Sequence, residues 1–195
     1  MPSLADRKLD LVKALFIGDS GVGKTGLLAS LAVAGYKLRI CDYDNGLDAL
    51  QNFIMEESSN ALANVDYEPL HDQTKFMRGS PPVVAAKALM RTGQLIEKWS
   101  DDSTPAKWGP SHILVLDSLT SLGRYAYNWA QGQAPKVRDR RQWYNAAQDS
   151  LELVLDTISS TAFNTNVIVI SHTKYVEVRE VGTCLLYTSP SPRDS

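Results

Sequence analysis

The chain has 195 residues, with 20 Lys plus Arg against 22 Asp plus Glu, a formal net charge of −2, and 44% apolar and 22% charged residues. Those proportions exclude a disordered, collagen-like or disulfide-stapled chain, and near-neutrality excludes a globally basic nucleic-acid coat while leaving room for a local basic patch. A chain of this size buries roughly 70% of its unfolded surface, which is enough for a single domain with its own core. No apolar run reaches the ~20 residues of a membrane span. Met1 to Lys8 lacks the apolar stretch of a secretory signal, and two cysteines, Cys41 and Cys184, imply no disulfide framework; both point to a reducing, cytoplasmic setting.

Strand-like and helix-like segments alternate along the chain. Ala14 to Gly18 is a short apolar run ending in Gly, suited to a strand buried on both faces. Lys24 to Ala34 carries Leu27, Leu28 and Leu31 at helical spacing and stops at Gly35. Tyr36 to Asp42 reads as a second strand and Val65 to Leu70 as a third. Pro81-Pro82 is expected to open a helix with Ala85, Leu89, Ile96 and Trp99 on one face, followed by a linker-like loop over Thr104 to Pro110. Ser111 to Asp117 is the most convincing strand, through Ile113-Leu-Val-Leu116. A long helix from about Arg141 to Ser159 puts Ala147, Leu151, Val154 and Ile158 on one side, and Asn166 to Ser171 is a further buried strand. Strands separated by helices imply crossover units, hence an α/β fold with a mainly parallel sheet and helices on both faces.

The last twelve residues, Cys184 to Ser195, break from this pattern with Ser, Thr and Pro and no periodicity. The string resembles the in-frame translation of a sequencing-library adapter. It is therefore set apart from the fold, which is expected to occupy residues 1–183 as one domain, incomplete at its C-terminus.

Gly18-Asp19-Ser20-Gly21-Val22-Gly23-Lys24-Thr25 satisfies the phosphate-loop pattern GxxxxGK[ST], between a strand and an amphipathic helix. Glycines let successive amides curl inward onto phosphate oxygens, and the helix N-terminus adds partial positive charge. Lys24 is placed to reach the β- and γ-phosphates of ATP and the Thr25 hydroxyl to ligate Mg²⁺. Asp117, at the end of the Ile113–Leu116 run, is the matching carboxylate for the magnesium. The loop is similar to that of small GTPases, but Asp117-Ser-Leu-Thr120 lacks the Gly of their switch and no Asn-Lys-x-Asp guanine reader is present downstream.

Leu38-Arg-Ile-Cys-Asp42-Tyr-Asp44 ends the second strand with carboxylates two residues apart, expected on one face. This resembles RecA-like recombinases, in which an acidic residue after the second strand activates the water that attacks the γ-phosphate. The resemblance implies that role for Asp44, although the family more often has Glu. Asp117-Ser-Leu-Thr-Ser-Leu122 is similar to the RecA pattern of strand, Asp, Ser and helix. Val167-Ile-Val-Ile-Ser171-His172 is similar to the strand whose polar tip senses the γ-phosphate, which makes His172 the implied sensor. The likeness spans Lys13 to Tyr175 and is nearest to the compact RecA-like ATPases of phages, some of which are single-strand annealing proteins. It implies the strand order third, second, Asp117 strand, His172 strand, phosphate-loop strand. It also implies a homo-oligomer with nucleotide between protomers, and further strands beyond Thr183 whose loss would leave Ala14 to Ile17 as an open edge and the chain poorly soluble.

Arg124 to Tyr144 interleaves aromatics with cations, and Lys136, Arg138, Arg140 and Arg141 are candidates for single-stranded DNA, which is commonly held by cations on its backbone and rings under its bases. The alternative is a solvated basic helix start with Trp143 and Tyr144 in the core. Lys174 to Glu180 occupies the place of a second DNA loop, but its charges nearly balance. His71 and His112 read as surface or loop residues, and no His/Cys/Asp cluster has zinc spacing. Three functions stay open: a DNA-stimulated RecA-like ATPase, a small-molecule kinase using Arg138, Arg140 and Arg141 as lid arginines, and a non-hydrolysing ATP switch.

Overall fold

The computed structural model describes residues 11–19, 21–76, 78–79, 83–135 and 139–173. Ser20, Pro81-Pro82, Lys136, Arg138, the Lys174–Glu180 stretch and the adapter-like tail lie outside the described residues.

Nine residues of one strand carry the architecture. β6 (Gly109–Asp117) is buried on both faces through Ile113 to Leu116. Its side chains alternate between two cores, with Ile113 and Val115 in one and Leu114 and Leu116 in the other, as the period of two in a strand requires. On its flanks lie β2 (Lys37–Asp42) and β7 (Thr165–Ser171), and outside those β3 (Val65–Pro69) and β1 (Lys13–Ile17). The sheet has five strands in the order β1-β7-β6-β2-β3, every pairing parallel. This is the order that the RecA resemblance implies.

Helices cover both faces. α1 (Lys24–Val33) and α2 (Leu47–Ser58) bury Leu28, Ala32, Leu50 and Ile54 against Leu38, Ile40, Ile168 and Ile170. The opposite face holds α3 (Ala88–Glu97), α4 (Leu119–Gln133) and α5 (Arg140–Ser159), with Leu95, Leu122, Ala147 and Ile158 against Leu114, Leu116, Val167 and Val169. α1 ends where Gly35 takes φ 94°, a left-handed conformation natural to Gly, and its amide donates back to Ala32 O at 3.1 Å. The single described cysteine, Cys41, is buried, and burial pushes its thiol up to about 12, so it is chemically inert. Among the described residues no helix is long and apolar enough to cross a membrane.

Several expectations are corrected. The Pro81-Pro82 helix starts only at Ala88; Val83–Ala85 instead forms β5, which pairs antiparallel with β4 (Gln73–Lys75), so Ala85 is on a strand. The Thr104–Pro110 loop contains a 3₁₀ turn over Pro105–Lys107, and β6 begins two residues early. His112, within the strand expected over Ser111 to Asp117, lies in β6, half-buried and stacked on Trp108 at 5.5 Å between ring centroids.

β1 is also not buried on both faces. As the edge of the sheet that the described residues form, it leaves Leu15 54% and Ile17 63% exposed, while Ala14 and Phe16 are half-buried. Its anchor is Lys13, whose Nζ donates to the carbonyls of Ile158, Phe163 and Thr165 at 2.8, 2.7 and 2.8 Å, tying the strand to the end of α5. An apolar, unpaired edge is a template for strand addition. The chain is therefore expected to self-associate in light scattering, and the double variant L15K/I17K to shift it toward monomer. Equal association of variant and parent contradicts this.

Candidate nucleotide site

The parallel register sets the strand ends level: Asp42 stands opposite Asp117, Asp117 opposite Ile170, and Ile17 opposite Ser171. The residues just past each strand are therefore crowded together at one end of the sheet. Gly21, Gly23, Lys24, Thr25, Asp44, Asp117 and His172 line a single cleft of about 410 Å³ there. Among the described residues, the structure thus gathers Gly21, Gly23, Lys24 and Thr25 of the phosphate loop with the three other predicted groups, Asp44, Asp117 and His172, while Gly18, Asp19 and Val22 are not among the lining residues and Ser20 is not described.

The loop leaves β1 with Gly18 N donating to Ser171 O at 3.2 Å. A Cβ on Gly18 would come within 2.9 Å of Val22 Cγ2, so a side chain there would force Val22 to shift. Gly21 and Gly23 take φ 84° and 92°, the kind of backbone that turns amides to one side. α1 starts at Gly23 without a side-chain cap and without an acidic residue in its first turn, so its N-terminal amides are left for an anion. Lys24 folds onto its own loop, with Nζ donating to Gly18 O at 2.7 Å and Asp19 O at 2.6 Å. Asp19 in turn accepts from Thr173 Oγ1, tying the loop to the end of β7. A phosphate group fits this donor set: uncapped amides, an ammonium and a hydroxyl, with no carboxylate in the first turn. The Thr25 hydroxyl and the Asp117 carboxylate line the same cleft and are oxygen donors of the kind that magnesium takes.

Asp42 and Asp44 do not share a face, contrary to the expectation from their spacing. Asp42 is buried, and its Oδ1 accepts from the amides of Asp44 at 3.1 Å and Asn45 at 2.9 Å. It shapes the turn, with Asn45 at φ 60°, and so aims Asp44 into the cleft. Asp44 meets His172 Nε2 at 3.3 Å and accepts from Ser121 Oγ. Burial alone would raise the Asp44 carboxyl; hydrogen bonds from Ser121 and Ser118 and the nearby His172 outweigh it and hold the group below the ordinary carboxylate value. His172 is fixed through its backbone, its amide donating to Thr120 Oγ1 at 2.9 Å.

Asp117 responds in the opposite sense. Burial, reinforced by the carboxylates of Asp44 and Asp42, raises it to about 6. Ser118, fully buried, caps α4 by accepting from Ser121 N at 3.4 Å. Ser118, Thr120 and Ser121 were not foreseen as site residues. Their signal was the run of hydroxyls after Asp117, which marks a helix start as readily as a site.

Of the predicted basic residues, Arg140 and Arg141 fall within the described residues. Arg140 and Arg141 are exposed at the start of α5, where Arg141 is held by Asp139, Nη2 to Oδ2 at 3.0 Å. Trp143 is buried, with Nε1 donating to Ala134 O at 3.0 Å, and Tyr125 is buried too, so neither ring is open to a base. Tyr144 is 62% exposed and packs on Tyr127 at 4.6 Å. Of the two aromatics assigned to the core in the alternative reading, one is there and one is not.

The topology and the loop together define a P-loop nucleotide-binding protein with a RecA-like sheet. The chain belongs to the AAA domain family, whose model matches residues 11–183. No curated protein matches it as a relative. Among solved structures, a prototypical ATPase from the type III secretion system of pathogenic bacteria superposes with a TM-score of 0.57 at 15% identity, over 87% of this chain and 47% of that one. The RadB recombinase aligns with a TM-score of 0.42 at 18% identity, over 84% of this chain and 61% of that one. The chain thus spans about half the length of the secretion ATPase, a likeness that extends to the fold.

The Asp117 shift has a stability consequence. A folded pKa raised from 3.8 to about 6 favours the protonated form. Its contribution is complete below pH ~4 and lost as pH rises through about 6. Asp117→Asn is therefore expected to stabilise the nucleotide-free chain by roughly 2–3 kcal/mol at pH 7 and by little at pH 4, read from melting curves. Equal effects at both pH values contradict the assignment.

Proposed function

We propose that the chain binds ATP with magnesium at the phosphate loop and hydrolyses it, and that turnover is coupled to single-stranded DNA, in annealing or recombination of the kind found in phage DNA metabolism. The observation that carries this reading is the convergence of Lys24, Thr25, Asp44, Asp117 and His172 on one cleft. Lys24 exchanges the carbonyls of Gly18 and Asp19 for the β- and γ-phosphates. Thr25 and Asp117 would hold magnesium, which would supply neutralising charge on the phosphate oxygens. Asp44 orients the attacking water and accepts its proton, with Ser121 and the turn-shaping Asp42 keeping it aimed. A carboxyl held low is ionised at neutral pH and so free to accept a proton, though as a weak base. His172, bridging Asp44 and the end of β7, is the group that registers the terminal phosphate.

For DNA, the candidates are Arg140, Arg141 and the exposed ring of Tyr144, together with Lys136 and Arg138. Arg124 offers a link to the site, because its Nη2 donates at 3.4 Å to Ser121 Oγ, which itself bonds Asp44. A neighbouring protomer would complete the cleft from its open side. No observation favours the kinase reading: neither Arg140 nor Arg141 lines the cleft.

The test is phosphate release with and without single-stranded DNA. Turnover is expected to need magnesium and to rise severalfold with DNA, while Lys24→Ala and Asp44→Asn each lower it about 10²-fold or more. Turnover indifferent to DNA overturns the DNA coupling. Absence of turnover in the parent chain overturns hydrolysis and leaves the switch.

A further inference from the structure

The most exposed large apolar side chain among the described residues, Phe76 at 82%, lies outside the cleft, directly after β4. β4 and β5 form a separate two-stranded ribbon in which Thr74 stands opposite Val84 and Lys75 opposite Val83, and both valines are exposed too. A ribbon of this length has no core of its own, so its root has to hold it. Asp72 does so, with Oδ1 accepting from the amides of Lys87 and Ala88 and Oδ2 from Asn128 Nδ2 at 3.0 Å. His71 Nδ1 lies 3.3 Å from the Tyr125 hydroxyl, which donates to Tyr43 O at 3.2 Å. The ribbon leaves the sheet at the level of Asp42, whose carbonyl accepts from Leu70 N at 2.8 Å, and so at the same end as the nucleotide cleft. Charge follows the same surface. In a chain of net charge −2, the stretch Gln73 to Lys87 carries the cations Lys75, Arg78 and Lys87 and no carboxylate. All of them are exposed, and none is in an ion pair among the described residues. The patch at the start of α5 differs, since Arg141 is answered by Asp139 and Tyr144 rests on Tyr127.

We propose that the β4–β5 ribbon is a docking surface for single-stranded DNA, with Lys75, Arg78 and Lys87 against the phosphates and the Phe76 ring under an unstacked base. This rests on the reading that the chain binds single-stranded DNA, and it names a contact surface which that reading does not include. The pairing of free cations with a bare ring decides the occupant. A duplex keeps its bases stacked and offers the ring nothing to lie on. An acidic peptide would engage the cations and leave the ring without a use. A second copy docked through the same ribbon would cover Phe76 and the valines but set like charges against each other, which opposes association.

The test is fluorescence anisotropy of labelled oligo-dT titrated with the full chain, without nucleotide or magnesium. Phe76→Ala is expected to weaken binding about fivefold or more, and Phe76→Trp, which keeps a ring, to stay within about twofold of the parent. The double variant K75A/R78A is expected to weaken binding and to lower the slope of log affinity against log salt by about 1.4, the loss of two single-strand phosphate contacts. Circular dichroism melting checks that the variants fold, and light scattering that their self-association matches the parent's. Parent-like binding by the ribbon variants, with the loss confined to R140A/R141A, overturns the ribbon and leaves the DNA reading standing. Equal losses in Phe76→Ala and Phe76→Trp, or altered self-association in place of altered DNA binding, overturn it as well. So does displacement of the DNA by polyglutamate as readily as by unlabelled oligo-dT, which would assign the surface to an acidic peptide. Oligo-dT left unbound by the parent chain overturns both the ribbon and the DNA reading. Because nucleotide is absent, a failure of ATP hydrolysis leaves this result unaffected.

Discussion

The parallel alignment of β1, β7, β6 and β2 is the constraint that creates the cleft. Because Asp42, Asp117 and Ile170 share one level, any group placed at or one or two residues past a strand end is delivered to the same spot. The strands themselves are held by ordinary means: fully buried Ile, Leu and Val on β6, with a helical layer on each face. A one-residue slip of β2 against β6 would exchange the β2 side chains between the two cores and take Asp42 out of level with Asp117, so the core that sets the register also protects the site geometry.

The electrostatics of the cleft are unbalanced on the protein's side. The N-terminus of α1 and the Lys24 ammonium, which donates to the carbonyls of Gly18 and Asp19, face one part. Two carboxylates face the other, one held low by hydroxyls and an imidazole, the other raised by burial and by its neighbours. Pairs of like groups pushed in opposite directions are characteristic of sites built for chemistry. A helix N-terminus with an ammonium on one side and two carboxylates on the other is the charge arrangement on which the proposed magnesium-bound triphosphate rests.

Much of this was legible in the residues. The glycine-spaced loop before Lys24-Thr25 is chemistry written in consecutive positions, and Ile113–Leu116 is too continuously apolar to be anything but a central strand. What escaped was decided by tertiary context. β1 is as apolar as β7, but only the sheet order makes it an edge, leaving Leu15 and Ile17 outside. Spacing put Asp42 and Asp44 on one face because a strand was assumed to continue, whereas Asp42 binds the amides of its own turn and ends it. The Pro81-Pro82 pair looked like a helix start, but the helix waits until Ala88, where Asp72 Oδ1 accepts from the amides of Lys87 and Ala88 at 2.9 and 3.1 Å, a partner distant in sequence. The aromatics of Arg124 to Tyr144 could not be sorted by pattern, since Trp143 and Tyr144 are neighbours that an α-helix turns in different directions.

The most direct measurement is calorimetric titration of the chain with a non-hydrolysable ATP analogue and magnesium, set against Lys24→Ala and Thr25→Ala. The account requires saturable binding by the parent, magnesium-dependent, and weakened at least about tenfold in each variant. Binding that ignores magnesium and both substitutions, or no binding at all, would mean that the loop between β1 and α1 is not a phosphate site.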